Sequence, residues 1–318
     1  MNEFDLIRRY FAWPVPPGYL GAGDDCALLP VAPGKQLATS TDLLIEGRHF
    51  LPDADPASLG HKALAVNLSD LAAMGAEPLG CMLGLSLPKV DEAWLAAFAD
   101  AFHALAREAG CPLVGGDTTR SPDGVVISVT VFGQIEQGRA LRRSTARPGD
   151  DIWVTGTLGA PHAALQWLTG QWPAQPALLA EARPALERPV PPWRFAQRLP
   201  GLAHAALDIS DGLLQDLGHI LTASDCGAIL YYHQLPIDAV LEPLDESHVR
   251  EAVLSGGDVY QLCFTAPPSN RDAITELARA FDVRATRVGV IESGAQLKVQ
   301  DAAGGLVPIT SRGFDHFA

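Results

Sequence analysis

The run LATSTDLLI (residues 37–45), closed by EGRHF (46–50) and followed by SLGHKALAVNLSDLAAMG (58–75), decides the fold class. The first stretch has the β-branched and apolar make-up of a strand and stops at the polar segment from Glu46 to His49. The second places Leu64, Leu68, Leu71 and Ala72 at helical spacing, with Asn67 and Asp70 on another face and Gly75 as a C-terminal stop. Outward from this pair the rhythm repeats. A helix is predicted from about Glu92 to Ala109, with Trp94, Leu95, Phe98, Phe102 and Leu105 as its buried stripe and Gly110 ending it. A short strand from Cys111 to Val114 and a strongly β segment from Val125 to Ile135 follow. Helix alternating with strand predicts an α/β (α+β) architecture.

The polar stretch RRSTARPGD, Arg142 to Asp150, reads as a junction between an N-terminal domain (1–147) and a C-terminal domain (148–318). DIWVTG opens the second half as a strand. The proline-rich stretch from Pro173 to Pro200 predicts short helices broken by turns and carries no chemistry. A strand into Asp208, a helix from about Gly212 to Ser224 and a strand around Val259 to Thr265 continue the α/β pattern.

Composition narrows the function. At 318 residues, 47% hydrophobic and 19% charged, the chain can bury more than one core. A net charge of -14 with no concentrated basic face argues against a nucleic-acid partner. The five cysteines are scattered, with no CxxC pair or zinc spacing, and read as small buried residues in a reducing compartment. The start MNEFDLIRRYF carries acids unlike a signal peptide, and no apolar stretch is long enough to span a bilayer. These features predict a cytoplasmic protein with no membrane partner.

The most informative feature is a set of aspartates among glycines and apolar residues: Asp24 and Asp25 in GAGDDCALL, Asp42 in STDLL, Asp70 in NLSDLAAMG, Asp117 in LVGGDTTR, and Asp208 and Asp211 in LDISDGL. A carboxylate in such company is costly to desolvate without a positive partner, and the chain has only four lysines, Lys35, Lys62, Lys89 and Lys298. Bound cations are the natural partners, and oxygen-rich sites of Asp, Ser and Thr suit Mg2+ shared with phosphate. For any single acid the alternative is a helix cap or turn, and Asp211-Gly212 alone would be a turn. The repetition of the pattern is what favours the metal. No GxxxxGK[ST] occurs, and no HRD with DFG, which excludes P-loop and protein kinases. Gly21, Gly23, Gly115 and Gly116 could bring backbone N–H groups to phosphate, although a GxG alone is weakly specific.

In order along the chain, GAGDDCALL, STDLLIEGRHF, KALAVNLSDLAAMGAEP, GGDTTR, LDISDGL, SGGDVYQLCFT and GFDHF resemble the thiamine-monophosphate kinase family. The resemblance implies a two-domain fold shared with aminoimidazole ribonucleotide synthetase: an N-terminal domain whose sheet forms a barrel with its twin in a homodimer, a C-terminal α/β domain, and an active site in the cleft between them. The implied partners are ATP as co-substrate and thiamine monophosphate as acceptor, with several Mg2+ ions. Carried over by position, Asp25, Ser40, Thr41, Asp42, Asp70, Asp117, Asp208 and Asp211 are the implied metal ligands, with Asp42, Asp70, Asp117, Asp208 and Asp211 the catalytic core. Gly116, Asp117, Arg143 and Ser210 are implied at the nucleotide, and His49, Asp258 and Phe314 at thiamine phosphate. By themselves, His49 reads equally as a half-exposed histidine at a strand end and Phe314 as a C-terminal anchor, and either member of Arg142-Arg143 could be the solvated one.

One departure stands out. Where the family reads GGEDYEL, this chain has GGDVYQL at 256–262, leaving Asp258 as the only acid and implying that Val259 and Gln261 contribute packing alone. The acceptor in this reading is a phosphate monoester with a second pKa near ~6, so direct in-line transfer needs no general base. Within the superfamily, selenophosphate synthetase would need a reactive Cys paired with Lys, and the hydrogenase maturation enzyme a cysteine-bearing tail, whereas this chain ends DHFA. A rival of another class is a non-catalytic nucleotide-binding regulator, for which the altered GGDVYQL is the best support.

Overall fold

The computed structural model describes residues 3–19, 27–309 and 313. Asp24, Asp25, Gly21, Gly23 and Phe314 lie outside the described residues. The chain divides into two compact units, one of Met1–Leu71 with Ala76–Gly138, the other of Ala72–Gly75 with Arg139–Ala318.

In the first unit a short helix α1 (Glu3–Leu6) precedes β1 (Lys35–Ile45), α2 (Pro56–Met74), β2 (Glu77–Leu87), α3 (Glu92–Ala109), β3 (Leu113–Arg120) and β4 (Val126–Glu136). The strands form one sheet in the order β1-β4-β2-β3, antiparallel except for the β2–β3 pair. Helix α3 keeps its predicted span for a local reason: Asp91 accepts the Ala93 and Trp94 amides at its N-cap, and Gly110 ends it in the left-handed conformation. One strand arises that the sequence reading did not predict, and one predicted strand lengthens. The stretch 77–87 is a full strand despite its Pro, Gly and Leu content, because it is hydrogen-bonded on both sides, and β3 runs through Gly115 and Asp117 to Arg120 because it pairs in parallel with β2.

In the second unit β5 (Asp151–Thr155) is followed by α4 (Ala160–Leu168), α5 (Pro176–Glu187), α6 (Trp193–Ala196), β6 (Ala205–Asp208), α7 (Leu213–Ser224), β7 (Gly227–Tyr231), α8 (Glu246–Ser255), β8 (Leu262–Ala266), α9 (Arg271–Ala280), β9 (Ala285–Glu292) and β10 (Leu297–Gln300). Its six-stranded sheet has the order β10-β7-β9-β5-β8-β6, and α4, α7 and α8 contribute to the core against it. The proline-rich stretch does form the short helices α5 and α6. The strand expected from Val259 begins only at Leu262, since Asp258 and Tyr260 hold φ of 59° and 51°, outside any strand geometry. No helix among the described residues is long and apolar enough to cross a membrane.

The N-terminal segment is pinned to α3 by His103, whose ring stacks on Trp13 at 3.8 Å and whose Nε2 donates to the Tyr10 carbonyl at 3.0 Å, while Arg107 lies over Trp13. Burial lowers the His103 pKa, helped by Arg107 and opposed by the Tyr10 bond and Asp100. A histidine whose folded pKa is depressed contributes stability that is present above its unfolded value, about 6.5, and lost as pH falls toward the folded value. The urea midpoint should therefore drop from pH 7.5 to 5.5 more steeply in the wild type than in His103→Gln, and equal slopes would contradict this.

Candidate active site

In the first unit, strand alternation sorts the residues. Along β1 the even positions Ser40 and Asp42 are half-buried beneath α2, and the odd positions, Thr41 among them, are exposed on the other face. The Ser40 hydroxyl donates to Asp70 Oδ2 at 2.6 Å. Asn67, one turn before Asp70 and 1% exposed, accepts the Asp42 amide at 3.1 Å and donates to the Ala63 carbonyl at 3.0 Å. Asn67 thus ties β1 to α2, which brings Ser40 onto Asp70, with Asp42 two residues along the same face of β1. The Thr41 side chain sits apart, with its Oγ1 on the Val129 carbonyl at 3.0 Å and beside Thr130 Oγ1 at 2.9 Å.

Gly116 and Asp117 lie on β3, at the opposite edge of the sheet. The pairing Asp42 to Val129, Val129 to Leu83 and Leu83 to Gly116 puts them three strands from Asp42, about 14 Å along the sheet. A Cβ at Gly116 would collide with the Leu83 carbonyl, so sheet pairing alone demands glycine there. At the end of β1, His49 folds back in the turn, its Nδ1 accepting the Ile45 amide at 3.0 Å, which leaves Nε2 to carry the proton of the neutral ring.

The second unit brings two motifs together through backbone. The Ile209 carbonyl accepts the Tyr260 amide at 2.7 Å, the Ser210 carbonyl accepts the Asp258 amide at 2.8 Å, and the Ile209 amide donates to the Gln261 carbonyl at 2.7 Å. Gly257 is obligatory at this crossing, because a Cβ would strike the Ser210 carbonyl. The left-handed residues Asp258 and Tyr260 are held there by these bonds, with the Tyr260 hydroxyl 3.4 Å from Asp258 Oδ1. Asp208 ends β6 at 7% exposure, and Ser210 and Asp211 are half-buried just beyond it.

The Arg143 backbone stands apart from this group. Its carbonyl accepts the Ser224 hydroxyl at 2.7 Å, so it stands at the C-terminal end of α7, a helix of 12 residues whose N-terminus adjoins Asp211, about 18 Å away.

Two residues escaped the sequence reading. Asp216, 4% exposed, accepts the amides of Ser210, Asp211 and Gly212 on one oxygen, each at 3.0 Å. Burial pushes its pKa up to about 7, opposed by these bonds and reinforced by Asp211. His162 lies directly under Gly256, its Nε2 3.4 Å from Glu251, with burial lowering its pKa against the pull of Glu251 and Asp258. The only hint was an acid in the first turn of a helix. Gln261 corrects an expectation. Its side chain accepts the Thr155 hydroxyl at 2.8 Å and donates to the Val190 carbonyl at 3.0 Å, so it braces three segments, whereas Val259 is a core residue as expected.

Among the described residues no three His, Cys, Asp or Glu side chains gather into a metal cage. The sets Ser40, Asp42 and Asp70, and Asp208 with Asp211, nevertheless suit Mg2+, which binds through one or two carboxylates and completes its shell with water and phosphate.

The descriptions of AIR synthase related protein match this chain twice, the N-terminal domain over residues 23–135 and the C-terminal domain over 147–302. Thiamine-monophosphate kinase of Salmonella typhimurium is 45% identical over 327 residues, covering 100% of this chain and 98% of the relative. The crystal structure of thiamine-monophosphate kinase from Stenotrophomonas maltophilia K279a is similar at a TM-score of 0.82 and 46% identity, over 88% of this chain and 90% of that one. AaThiL complexed with AMPPCP and TMP matches at 0.78 and 29% identity, over 91% and 90%.

Proposed function

The chain belongs to the AIR synthase related family and, within it, to the thiamine-monophosphate kinases, and on that premise we propose how its residues move the terminal phosphoryl group of ATP onto thiamine monophosphate. The reaction is ATP-dependent phosphorylation of a phosphate, yielding thiamine diphosphate. The observation that carries our assignment of roles is the backbone junction between Ile209-Ser210 and Asp258-Tyr260, which sets Asp258 beside the Asp208 to Asp211 loop.

Asp42 and Asp70 with Ser40, and separately Asp208 and Asp211, would hold Mg2+. When bound, the ions supply charge neutralisation that lets two anions approach and line up. Asp117, with Gly116 beside it, would meet nucleotide phosphate through Mg2+ at the far edge of the first sheet. Asp258 would pair with the cationic thiazolium or the amino group of the pyrimidine, at a position set by Gly257 and the Ser210 carbonyl. His49, its Nδ1 held by the Ile45 amide, would donate through Nε2 to the acceptor's phosphate. No proton has to be removed from the acceptor, whose oxygen is already anionic at neutral pH. Arg143, at the far end of α7, takes no part beside Asp211 in this scheme.

The homodimer we propose rests on the outer face of the first unit's sheet, where Leu37 and Leu43 on the edge strand β1 are 53% and 56% exposed and Ile45 and Met82 are also exposed. A cytoplasmic setting is supported by Cys81, Cys111, Cys226 and Cys263, all buried and unbridged.

The test is ADP release with each substrate varied. ADP should form only when thiamine monophosphate is present, and Asp258→Ala should raise the Michaelis constant for thiamine monophosphate by about tenfold, an effect of the size expected for a lost charged contact, with that for ATP little changed. ADP formation indifferent to thiamine monophosphate would refute the reaction, and an unchanged Michaelis constant would refute the role of Asp258.

A further inference from the structure

We propose that Asp216 is a positioning residue, which inverts the polarity of the Asp208 to Gly212 loop so that the loop presents carboxylates to a cation and withholds its amides from anions. The inference rests on the reading above that Asp208 and Asp211 hold Mg2+.

Successive backbone N–H groups entering a helix N-terminus ordinarily make an anion site, since the amides converge and the helix dipole adds positive charge. Ser210, Asp211 and Gly212 enter α7 in this way, yet all three of their amides converge inward on Asp216 Oδ2, each at 3.0 Å. Asp216 is 4% exposed and is carried on the same helix. The anion position is therefore filled from within by the chain's own carboxylate. Three of the loop's carbonyls are committed as well, Ile209 to the Tyr260 amide, Ser210 to the Asp258 amide and Gly212 to the Asp216 amide. What the loop turns toward a ligand is the half-buried side chains of Ser210 and Asp211, and Gln215 steadies the latter by donating to its Oδ2 at 3.2 Å.

The same carboxylate oxygen thus holds the strand-to-helix turn that carries Asp211 and, through the Ser210 carbonyl, the residue Asp258. Its place matters more than its charge. An amide oxygen at that point can still accept the three N–H groups, whereas a carboxylate one methylene longer cannot occupy it without moving the loop.

The experiment measures Mn2+ binding to the full chain by electron paramagnetic resonance, with Mn2+ alone as the probe, in the wild type, Asp216→Asn, Asp216→Glu and Ile220→Ala. Ile220 is a fully buried residue of α7 whose truncation lowers stability without touching the loop. Thermal midpoints place every measurement well below unfolding. The expected result is affinity within about threefold of wild type for Asp216→Asn and Ile220→Ala, and at least about tenfold weaker binding for Asp216→Glu, the size typical of groups that orient metal ligands. Wild-type affinity in Asp216→Glu would overturn the inference, as would a loss in Asp216→Asn equal to or greater than that in Asp216→Glu. An equal loss in Ile220→Ala would overturn it too, by reducing the effect to general destabilisation. Absence of Mn2+ binding in the wild type would instead refute the metal reading on which the inference stands.

Discussion

In excess chelator, ADP formation from ATP and thiamine monophosphate is expected to fall to background and to return when Mg2+ is restored. The reason is electrostatic. The chain carries a net charge of -14, and the candidate ligands within each unit are acids, Asp42, Asp70 and Asp117 in the first and Asp208, Asp211 and Asp258 in the second, so a phosphorylated ligand cannot settle beside either set without compensating charge. The amides of Ser210, Asp211 and Gly212 do not supply that charge, because they are already bound to Asp216. Ca2+ should bind but support turnover poorly, since its larger and looser shell aligns phosphates less well. Steady-state rates across a chelator titration decide the matter, and full turnover in excess chelator would refute metal dependence.

Replacing one ligand charge at a time should have the next largest effect. Asp42→Asn, Asp70→Asn and Asp208→Asn are each expected to lower turnover by about a hundredfold or more, because each removes a formal charge from a site whose task is charge neutralisation. The fold should survive. Asp70→Asn keeps an oxygen able to accept the Ser40 hydroxyl, and the tie that Asn67 makes to the Asp42 amide involves backbone that the Asp42→Asn variant leaves in place. Turnover and thermal midpoint measured together separate the possibilities. Wild-type turnover in all three variants, or a large drop in midpoint in each, would mark these aspartates as structural caps.

The altered GGDVYQL segment shows why a motif comparison reaches only part of a site. Val259 packs in the core, as loss of a charged residue implies, but Gln261 bridges Thr155 and Val190, and nothing local in the sequence announces partners so far away along the chain.

What the sequence determined by itself is local or periodic. Apolar spacing and Gly110 define α3, β-branched and apolar make-up defines β1, and the recurrence of aspartate beside small residues marks the candidate oxygen ligands, because propensity and capping depend on neighbours a few residues apart. Only the tertiary structure decided that 77–87 is a strand, that β3 continues through Asp117, that Asp42 and Asp117 stand at opposite edges of one sheet, and that Asp216 gathers the loop amides. Each of those outcomes turns on a hydrogen bond whose partner the local pattern does not name: pairing on both sides makes a strand of residues with weak β propensity, and burial beside three unpaired amides gives an ordinary first-turn aspartate its role.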